Sequence, residues 1–428
     1  MSVRPDAKKQ TKEEEYRMKM TEMERKLIRF LEKHRWLWLY AAVTVLSMIA
    51  RFSLRGVISG DMFIFLRPWA EIMKENGGIH GLKDQLGNYG VLYQTIIALM
   101  TYLPIQHEYA YKIFSMVFDF ALAAAASAMV REFSGSRMKT FLTYTLLVML
   151  PSVMLNSAAW GQCDSVFTFF CVLCFWLLLR EKPLWAFVSW GIAFAFKLQA
   201  IFLAPFVVFY YLKTKNFSLL NLLVIPLMMI LSSLAGILQG RSILAPFQIY
   251  AEQAGTYPSI SLNYPSFWSL LIKNETEDYY AELSVYCIVF ALAVLLVELI
   301  LLIRRKERYS KSMYLFAAFL MTYTCVLFLP AMHERYSYPY LIFGLMLAVL
   351  EPETAVSFVL LVMLDLQTYG AFLFETEAFP WNVLGFLNTA CFLSYAFYWG
   401  RRIFFGRREL CPENPEERRK SGSLREEK

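Results

Sequence analysis

Long apolar segments, separated by short turns rich in lysine and arginine, constrain this chain more than any other feature. Of its 428 residues, 57% are hydrophobic and only 18% are charged. Soluble domains are typically about 45–50% apolar and about 25% charged. Because a backbone in hydrocarbon must satisfy its own hydrogen bonds, such segments are expected to be membrane-crossing helices. The sequence therefore predicts an all-α, polytopic membrane protein. The basic residues flank the apolar segments, which argues against nucleic-acid binding.

About twelve membrane helices are predicted. They cover residues 36–52, 109–130, 140–157, 163–179, 184–197, 199–212, 217–238, 283–303, 312–329, 336–350, 353–374 and 382–400. Several are shorter than the ~20 residues that a perpendicular span needs, so some are expected to be partial or broken.

The same pattern divides the chain into four parts. They are a charged N-terminal segment (1–35), a main membrane region (36–350) that contains two long outer segments (53–108 and 239–282), additional membrane helices (351–405) and a charged tail (406–428).

The positions of lysine and arginine predict the topology. Basic turns are expected on the cytoplasmic side. If the apolar stretch Val91–Pro104 lies in the membrane interface instead of crossing, all the basic turns fall on the side of the basic N-terminus. Both termini are then cytoplasmic, and residues 53–108 are extracytoplasmic, with two interfacial helices around 62–82 and 88–104.

With this topology, the unusual polar residues gather at the outer level. A lone carboxylate there, Asp61, can act as a general base. Cations can bind a phosphate, aromatic rings can stack on sugars, and amides can bond to hydroxyls. The candidate substrate-binding residues are Trp69, Asn88, Tyr89, Tyr93, Lys112, Asp119, Asn156, Trp160, Gln162, Asp164, Lys197, Gln199, Asn263, His333, Glu334, Arg335 and Tyr336.

Structural roles are the alternatives for several of these residues. Asp61 can be a solvated loop charge, and Lys197 can extend to the lipid headgroups. Lys112 and Asp119, seven residues apart on one helix face, can form a structural ion pair. Trp69 and Trp160 can be interfacial belt residues. The sequence His-Glu-Arg-Tyr-Ser at 333–337 lacks the second histidine of a zinc-protease motif.

Six motifs in the same order resemble one family. They are SGDM..FL.PW.......GG (59–78), GNYG..Y (87–93), YK.F....D (111–119), WGQ.D (160–164), FKLQ...L.P (196–205) and LP.MHERY (329–336). Together they resemble the GT-C superfamily of integral-membrane glycosyltransferases, with greatest similarity to the bacterial branch related to glycosylphosphatidylinositol mannosyltransferases.

This resemblance implies a GT-C fold in which residues 36–350 form the catalytic region. Asp61 matches the catalytic aspartate that follows the first span. The family implies a polyprenyl-phosphate sugar as donor and a glycan, lipid or protein as acceptor, at an extracytoplasmic active site in the cell membrane. The expected reaction is inverting transfer of a hexose, possibly mannose, with no cofactor. Tyr89-Gly90-Val91 stands where many relatives have Tyr-Pro-Pro, and Met62 follows Asp61, so no metal-binding acidic pair is indicated.

Two other functions remain open from the sequence alone. A transporter or lipid-linked sugar flippase needs polar residues at mid-membrane along several spans, whereas here they lie mostly at one level. A non-catalytic membrane scaffold would tolerate Asp61→Asn.

Overall fold

The structure is a computed structural model that describes residues 21–253, 258–272, 279–305 and 309–404. The predicted cytoplasmic tail, 406–428, and the first 20 residues of the N-terminal segment lie outside the described residues. The chain divides into two compact units, residues 1–50 and 51–428.

The first unit contains helix α1 (Glu22–Lys33) and most of helix α2 (Arg35–Ser53). Thr21 and Glu24 form a capping box at the start of α1, in which each side chain accepts a hydrogen bond from the other residue's backbone N–H. Helix α2 coincides with the first predicted span.

The first predicted outer segment forms four short helices in the second unit. They are a π-helix (Met62–Leu66), α3 (Arg67–Glu75), a 3₁₀-helix (Gly78–Lys83) and α4 (Val91–Met100). Helix α4 has 10 residues, so at 1.5 Å per residue it is about 15 Å long, half the ~30 Å of a bilayer core. It is too short to cross, which supports the interfacial interpretation of Val91–Pro104.

The remaining helices lie in or next to the predicted apolar segments, except for two in the second predicted outer segment, Ala245–Gln253 and Phe267–Leu270. They are α5 (His107–Ser134), α6 (Arg137–Met149), α7 (Pro151–Met154), a π-helix (Leu155–Trp160), α8 (Asp164–Leu179), α9 (Pro183–Phe196), a 3₁₀-helix (Leu198–Leu203), α10 (Ala204–Thr214), a 3₁₀-helix (Leu219–Leu223), α11 (Val224–Ser232), α12 (Leu234–Leu238), α13 (Ala245–Gln253), a 3₁₀-helix (Phe267–Leu270), α14 (Tyr280–Arg304), α15 (Lys311–Phe328), α16 (Tyr338–Leu350), a 3₁₀-turn (Pro352–Thr354), α17 (Ala355–Phe374) and α18 (Trp381–Phe404).

The described residues confirm an all-α membrane architecture. Five of their helices are long and apolar enough to cross a membrane: α2, α5, α14, α15, and α17 with the turn before it. A sixth span results if α6 and the helix from Pro151 to Trp160, which are bent by 48°, count as one. Most of the other apolar helices are shorter, so the number twelve stays a prediction.

Two breaks within apolar helices position polar side chains. Pro151 lacks a backbone N–H and starts a new helix after α6, as proline favours the first helical turn. Lys197 lies between α9 and the following 3₁₀-helix and has an extended backbone. Irregular backbone in a membrane protein is tolerated where it lines a cavity or is buried in protein.

The predicted cytoplasmic turns contact one another. Glu132 forms ion pairs with Arg180 and Lys311. Arg402 pairs with Glu351 at 2.8 Å. The predicted outer segments likewise meet, since Arg241 donates to Gln85 and Tyr89 donates to Gln162. In these contacts, predicted cytoplasmic turns meet other cytoplasmic turns, and predicted outer segments meet other outer segments.

A buried ion pair joins four elements of the second unit. Arg51 Nη2 lies 2.9 Å from Asp119 Oδ2, and both side chains are fully buried. Arg51 Nη1 donates to the carbonyl oxygen of Val148 at 2.7 Å. Ser157 donates to the same Asp119 oxygen at 2.5 Å. The pair thus ties the end of α2 to α5, α6 and the π-helix that leads to Trp160.

The alternative that Lys112 and Asp119 form a structural ion pair with each other is wrong, because each has a different partner. Lys112 Nζ instead donates to the carbonyl oxygens of Arg55 and Val57, at 2.9 and 2.6 Å. The i, i+7 spacing correctly gives a shared helix face. It does not reveal that the partner of Asp119 is Arg51, which lies 68 residues earlier in the chain.

Cysteine labelling tests the topology. In a variant with Cys411→Ser, cysteines introduced at exposed Asn76 or Glu377 should react with an impermeant maleimide in intact cells. Cysteines at exposed Lys182 or Asn216 should react only after permeabilisation. The six other native cysteines are buried and provide little background. Labelling of Lys182→Cys in intact cells would contradict the topology.

Asp119→Ala should strongly destabilise the protein. Removing one partner of a buried ion pair typically costs about 3–5 kcal/mol, because the remaining charge stays buried. The thermal unfolding midpoint of purified protein measures this effect. Glu22→Ala is the control: it removes an exposed ion pair with Lys26 and should leave the midpoint unchanged. Equal midpoints for the two variants would contradict the role of Asp119.

Candidate active site

A cavity of about 810 Å³ lies where the predicted outer segments meet. Its lining comes from the first outer segment, the turn before α8, the break after α9, the second outer segment, the loop between α15 and α16, and α17. Its polar or aromatic lining residues include Asp61, Trp69, Asn88, Tyr89, Gln162, Lys197, Gln199, Gln253, Asn263, His333, Glu334, Arg335 and Tyr336. We call this the main cavity.

The two carboxylate oxygens of Asp61 differ in their hydrogen bonding. Oδ2 accepts hydrogen bonds from Trp160 Nε1 at 2.9 Å and Gln162 Nε2 at 2.8 Å, and Arg335 Nη2 lies 3.6 Å away. In the described part of the chain, Oδ1 has no hydrogen-bond partner. The side chain is 19% exposed and lines the main cavity. Its orientation is therefore fixed while Oδ1 remains able to accept a proton.

The backbone before Gln162 explains how both donors reach Asp61. The π-helix Leu155–Trp160 ends at Gly161, which has a left-handed backbone with φ of +77°. A Cβ at Gly161 would also lie only 2.6 Å from Met62 Cε. Met62 Cε is the flexible end of a side chain and can shift, so the left-handed backbone is what favours glycine here. π-helical turns of this kind are frequent at functional sites.

Arg335 lies among three carboxylates. Its guanidinium approaches Asp164 Oδ2 at 3.3 Å and Glu334 Oε1 at 3.4 Å, in addition to Asp61. It also donates to Gln162 Oε1 at 3.1 Å. A guanidinium has several donors in a rigid fork, so it can hold separate acceptors in one fixed arrangement.

Asp164 links Arg335 to Lys197. Lys197 Nζ lies 2.5 Å from Asp164 Oδ1, and both side chains are more than nine-tenths buried. Asn156 donates to Asp164 Oδ2 at 2.8 Å and to the Tyr369 hydroxyl at 3.0 Å. The result is an alternating chain of charges, Lys197–Asp164–Arg335–Asp61, which we call the charge chain.

The loop between α15 and α16 adds a histidine and a tyrosine. His333 Nδ1 lies 3.7 Å from Glu334. Burial raises the pKa of Glu334, but His333 and Arg335 outweigh it and hold the pKa below its ordinary value, so Glu334 is ionised. Burial raises the pKa of Tyr336 to about 12, although Lys197 and Arg335 oppose the rise. Tyr336 is therefore a neutral hydroxyl in the cavity wall.

Aromatic rings form another wall. Trp69 packs edge-on against Tyr89 with centroids 5.5 Å apart, and Tyr89 lies 4.8 Å from Tyr93. The Tyr89 hydroxyl donates to Gln162 Oε1 at 2.7 Å. Burial, as the main cause, raises the pKa of Tyr89 well above its ordinary value, so it remains a donor.

Six predicted site residues are not among the lining residues: Tyr93, Lys112, Asp119, Asn156, Trp160 and Asp164. All six are buried, or nearly so, behind the wall. Trp160, Asn156 and Asp164 contact lining residues and so fix their positions. Lys112 binds the backbone carbonyls of Arg55 and Val57, and Asp119 pairs with Arg51, as described above.

The sequence analysis missed two lining residues of interest. Gln253 donates a hydrogen bond from its side chain to the carbonyl oxygen of Asn88. Phe372 of α17 stacks on Trp160 with centroids 4.4 Å apart. No motif marks Phe372, because a phenylalanine in an apolar helix is indistinguishable from its neighbours in the sequence.

The family model of glycosyltransferase family 87 matches residues 88–330, more than half of the chain. The chain belongs to glycosyltransferase family 87. This is a family of GT-C-like membrane glycosyltransferases, which confirms the broader resemblance and favours an enzyme over a transporter or scaffold. The similarity to glycosylphosphatidylinositol mannosyltransferases stays a prediction. No curated protein matches the chain.

The family 87 match covers only part of the main cavity. Tyr89, Gln162 and Lys197 lie within it, whereas Asp61 and residues 333–336 lie outside. Their assignment to the site depends on the geometry just described.

Proposed function

We propose that the protein transfers a hexose, mannose being the first candidate, from a polyprenyl-phosphate donor to an acceptor hydroxyl at the extracytoplasmic face. One observation supports this most strongly: Oδ2 of Asp61 is fixed by Trp160 and Gln162, while Oδ1 is open to the main cavity. A general base must be held still and must keep a lone pair accessible to the proton that it removes.

The proposed reaction is a single displacement. The acceptor hydroxyl oxygen attacks the anomeric carbon, and its proton moves to Asp61 Oδ1. The bond between the anomeric carbon and the phosphate oxygen breaks, and its electron pair leaves on polyprenyl phosphate. Attack opposite the leaving group inverts the anomeric centre. Arg335 Nη2, 3.6 Å from Oδ2, helps to hold the Asp61 carboxylate in place.

The donor phosphate is proposed to lie near Lys197 and His333, with Arg335 behind them. Lys197 and His333 line the main cavity, and neither forms an ion pair with Asp61 among the contacts described above. Ile64 and Phe65 also line the cavity and are 60% and 39% exposed. These two side chains form an apolar rim that suits the prenyl chain of a lipid-linked donor.

Asp61→Asn should abolish most of the transfer activity. The amide keeps the shape of the carboxylate, and its oxygen can still accept from Trp160 and Gln162. Its NH₂ group then faces the acceptor hydroxyl and cannot take a proton. Turnover should fall by about 10²–10⁴-fold, the usual contribution of a general base, while the unfolding midpoint and donor binding change little.

Transfer assays with purified protein and radiolabelled polyprenyl-phosphate hexoses measure this loss. Asp84→Asn is the matched control, since Asp84 is exposed on the same outer segment and does not line the cavity. Near wild-type transfer by Asp61→Asn would restore the interpretation of Asp61 as a loop charge.

Lys197→Ala should weaken donor binding more than turnover. Loss of a charged hydrogen bond costs about 1.5–3 kcal/mol, which corresponds to roughly a 10- to 150-fold higher donor concentration at half-saturation. Asp164 keeps Arg335 as a partner, so folding should survive. Lys74→Ala, at an exposed position of α3, is the control. An unchanged half-saturation for the donor would remove Lys197 from the phosphate site.

A further inference from the structure

A second, smaller cavity of about 340 Å³ adjoins the main cavity. It is lined by Asn263, Ala371, Phe372, Glu375 and Glu377, and we call it the carboxylate cavity. Asn263 and Phe372 also line the main cavity, so the two spaces share a wall. Its volume suits one or two sugar rings.

Phe372 connects this second space to the catalytic carboxylate. Its ring stacks on Trp160 with an interplanar angle of 17°, and the Trp160 indole donates to Asp61 Oδ2. Only the stacked pair of Phe372 and Trp160 therefore links the wall of the carboxylate cavity to Asp61 in this series of contacts. A molecule bound there can extend a hydroxyl past Phe372 into the main cavity.

The two cavities differ in charge. The main cavity holds Lys197, His333 and Arg335 among its carboxylates. Among the described residues, the lining of the carboxylate cavity includes two glutamates and no lysine or arginine. Two carboxylates repel a phosphate but accept hydrogen bonds from hydroxyl groups. The partly exposed ring of Phe372, which lines the cavity, supplies an apolar contact for the C–H face of a sugar.

The backbone of Glu375 adds to this case. Glu375 follows the last residue of α17 and has a left-handed conformation, with φ of +52° and ψ of 35°. When a helix is followed by a residue in this conformation, that residue is usually glycine, because a side chain there is strained. Glycine would relieve the strain but would remove a carboxylate from the cavity wall. Strained residues of this kind cluster at functional sites.

We propose that the carboxylate cavity binds the acceptor as an uncharged, polyhydroxylated sugar unit, with Glu375 and Glu377 accepting from its hydroxyls and Phe372 against the ring. This proposal rests on the proposed function, since it names the acceptor side of the same site. It assigns the acceptor to the glycosides, and it excludes an anionic group at this end of the acceptor.

Two substitutions of Glu375 test the proposal without requiring the natural acceptor. Glu375→Gly should fold at least as well as the wild type, because it removes the strained side chain. Glu375→Lys keeps a side chain of similar length and reverses the charge. Glu71→Gln is the control, because Glu71 is an exposed carboxylate of the first outer segment that lines neither cavity.

Binding is measured by saturation-transfer NMR on protein in nanodiscs. The probes are methyl α-mannopyranoside, methyl β-glucopyranoside, α-1,2-mannobiose and inorganic phosphate. At least one glycoside should bind the wild type and the Glu71→Gln variant equally. Glu375→Gly and Glu375→Lys should weaken it about tenfold, the effect of losing one charged hydrogen bond. Phosphate should gain affinity only in Glu375→Lys.

The outcomes separate this proposal from the proposed function. Glycoside binding that is equal in all variants, or no glycoside binding to the wild type, overturns the acceptor site. Polyprenyl phosphate binding should be unchanged by both Glu375 substitutions, and a loss of that binding would also overturn it. Transfer activity of Asp61→Asn decides the catalytic assignment independently of these results.

Discussion

The charge chain Lys197–Asp164–Arg335–Asp61 is the interaction on which the rest of the site depends. Charges this deeply buried are costly unless each has a partner of opposite sign. Its members come from four segments that are far apart in the sequence, so pairing fixes the positions of those segments relative to one another. The charge chain and Glu334 together contain three carboxylates and two basic side chains. The proposed anionic donor therefore has to share cations that already have partners.

The backbone segments that position the charge chain also depend on buried polar contacts. Asp119 and Ser157 anchor the π-helix whose last residue, Trp160, donates to Asp61. Lys112 binds two carbonyls in the loop that precedes Asp61. None of these three residues lines either cavity, yet each holds a backbone segment that positions a residue of the candidate site. Residues that the sequence marks as unusual can thus serve the site by positioning other groups.

Much of this arrangement could be predicted from the sequence. The apolar segments predict the helices. The motifs predict four residues that line the main cavity, namely Asp61, Gln162, Lys197 and Arg335. Three features could not be predicted, each for a physical reason. Helix periodicity gives a face but no partner, so Arg51 was missed as the partner of Asp119. Tertiary stacking leaves no periodic signal, so Phe372 was missed. Strain at Glu375 is a backbone property that no side-chain pattern encodes.

The apolar rim formed by Ile64 and Phe65 has a consequence for the proposed lipid-linked donor, whose effective concentration is then set per area of membrane. Exposed apolar side chains beside the cavity allow a prenyl chain to stay in the bilayer while its head group enters sideways. Such a substrate meets the enzyme by diffusion in two dimensions. The rate then depends on the mole fraction of carrier in one leaflet and is insensitive to the volume of the surrounding solution. Dilution of the membrane with inert phospholipid slows the reaction even when the total amounts of enzyme and donor stay constant.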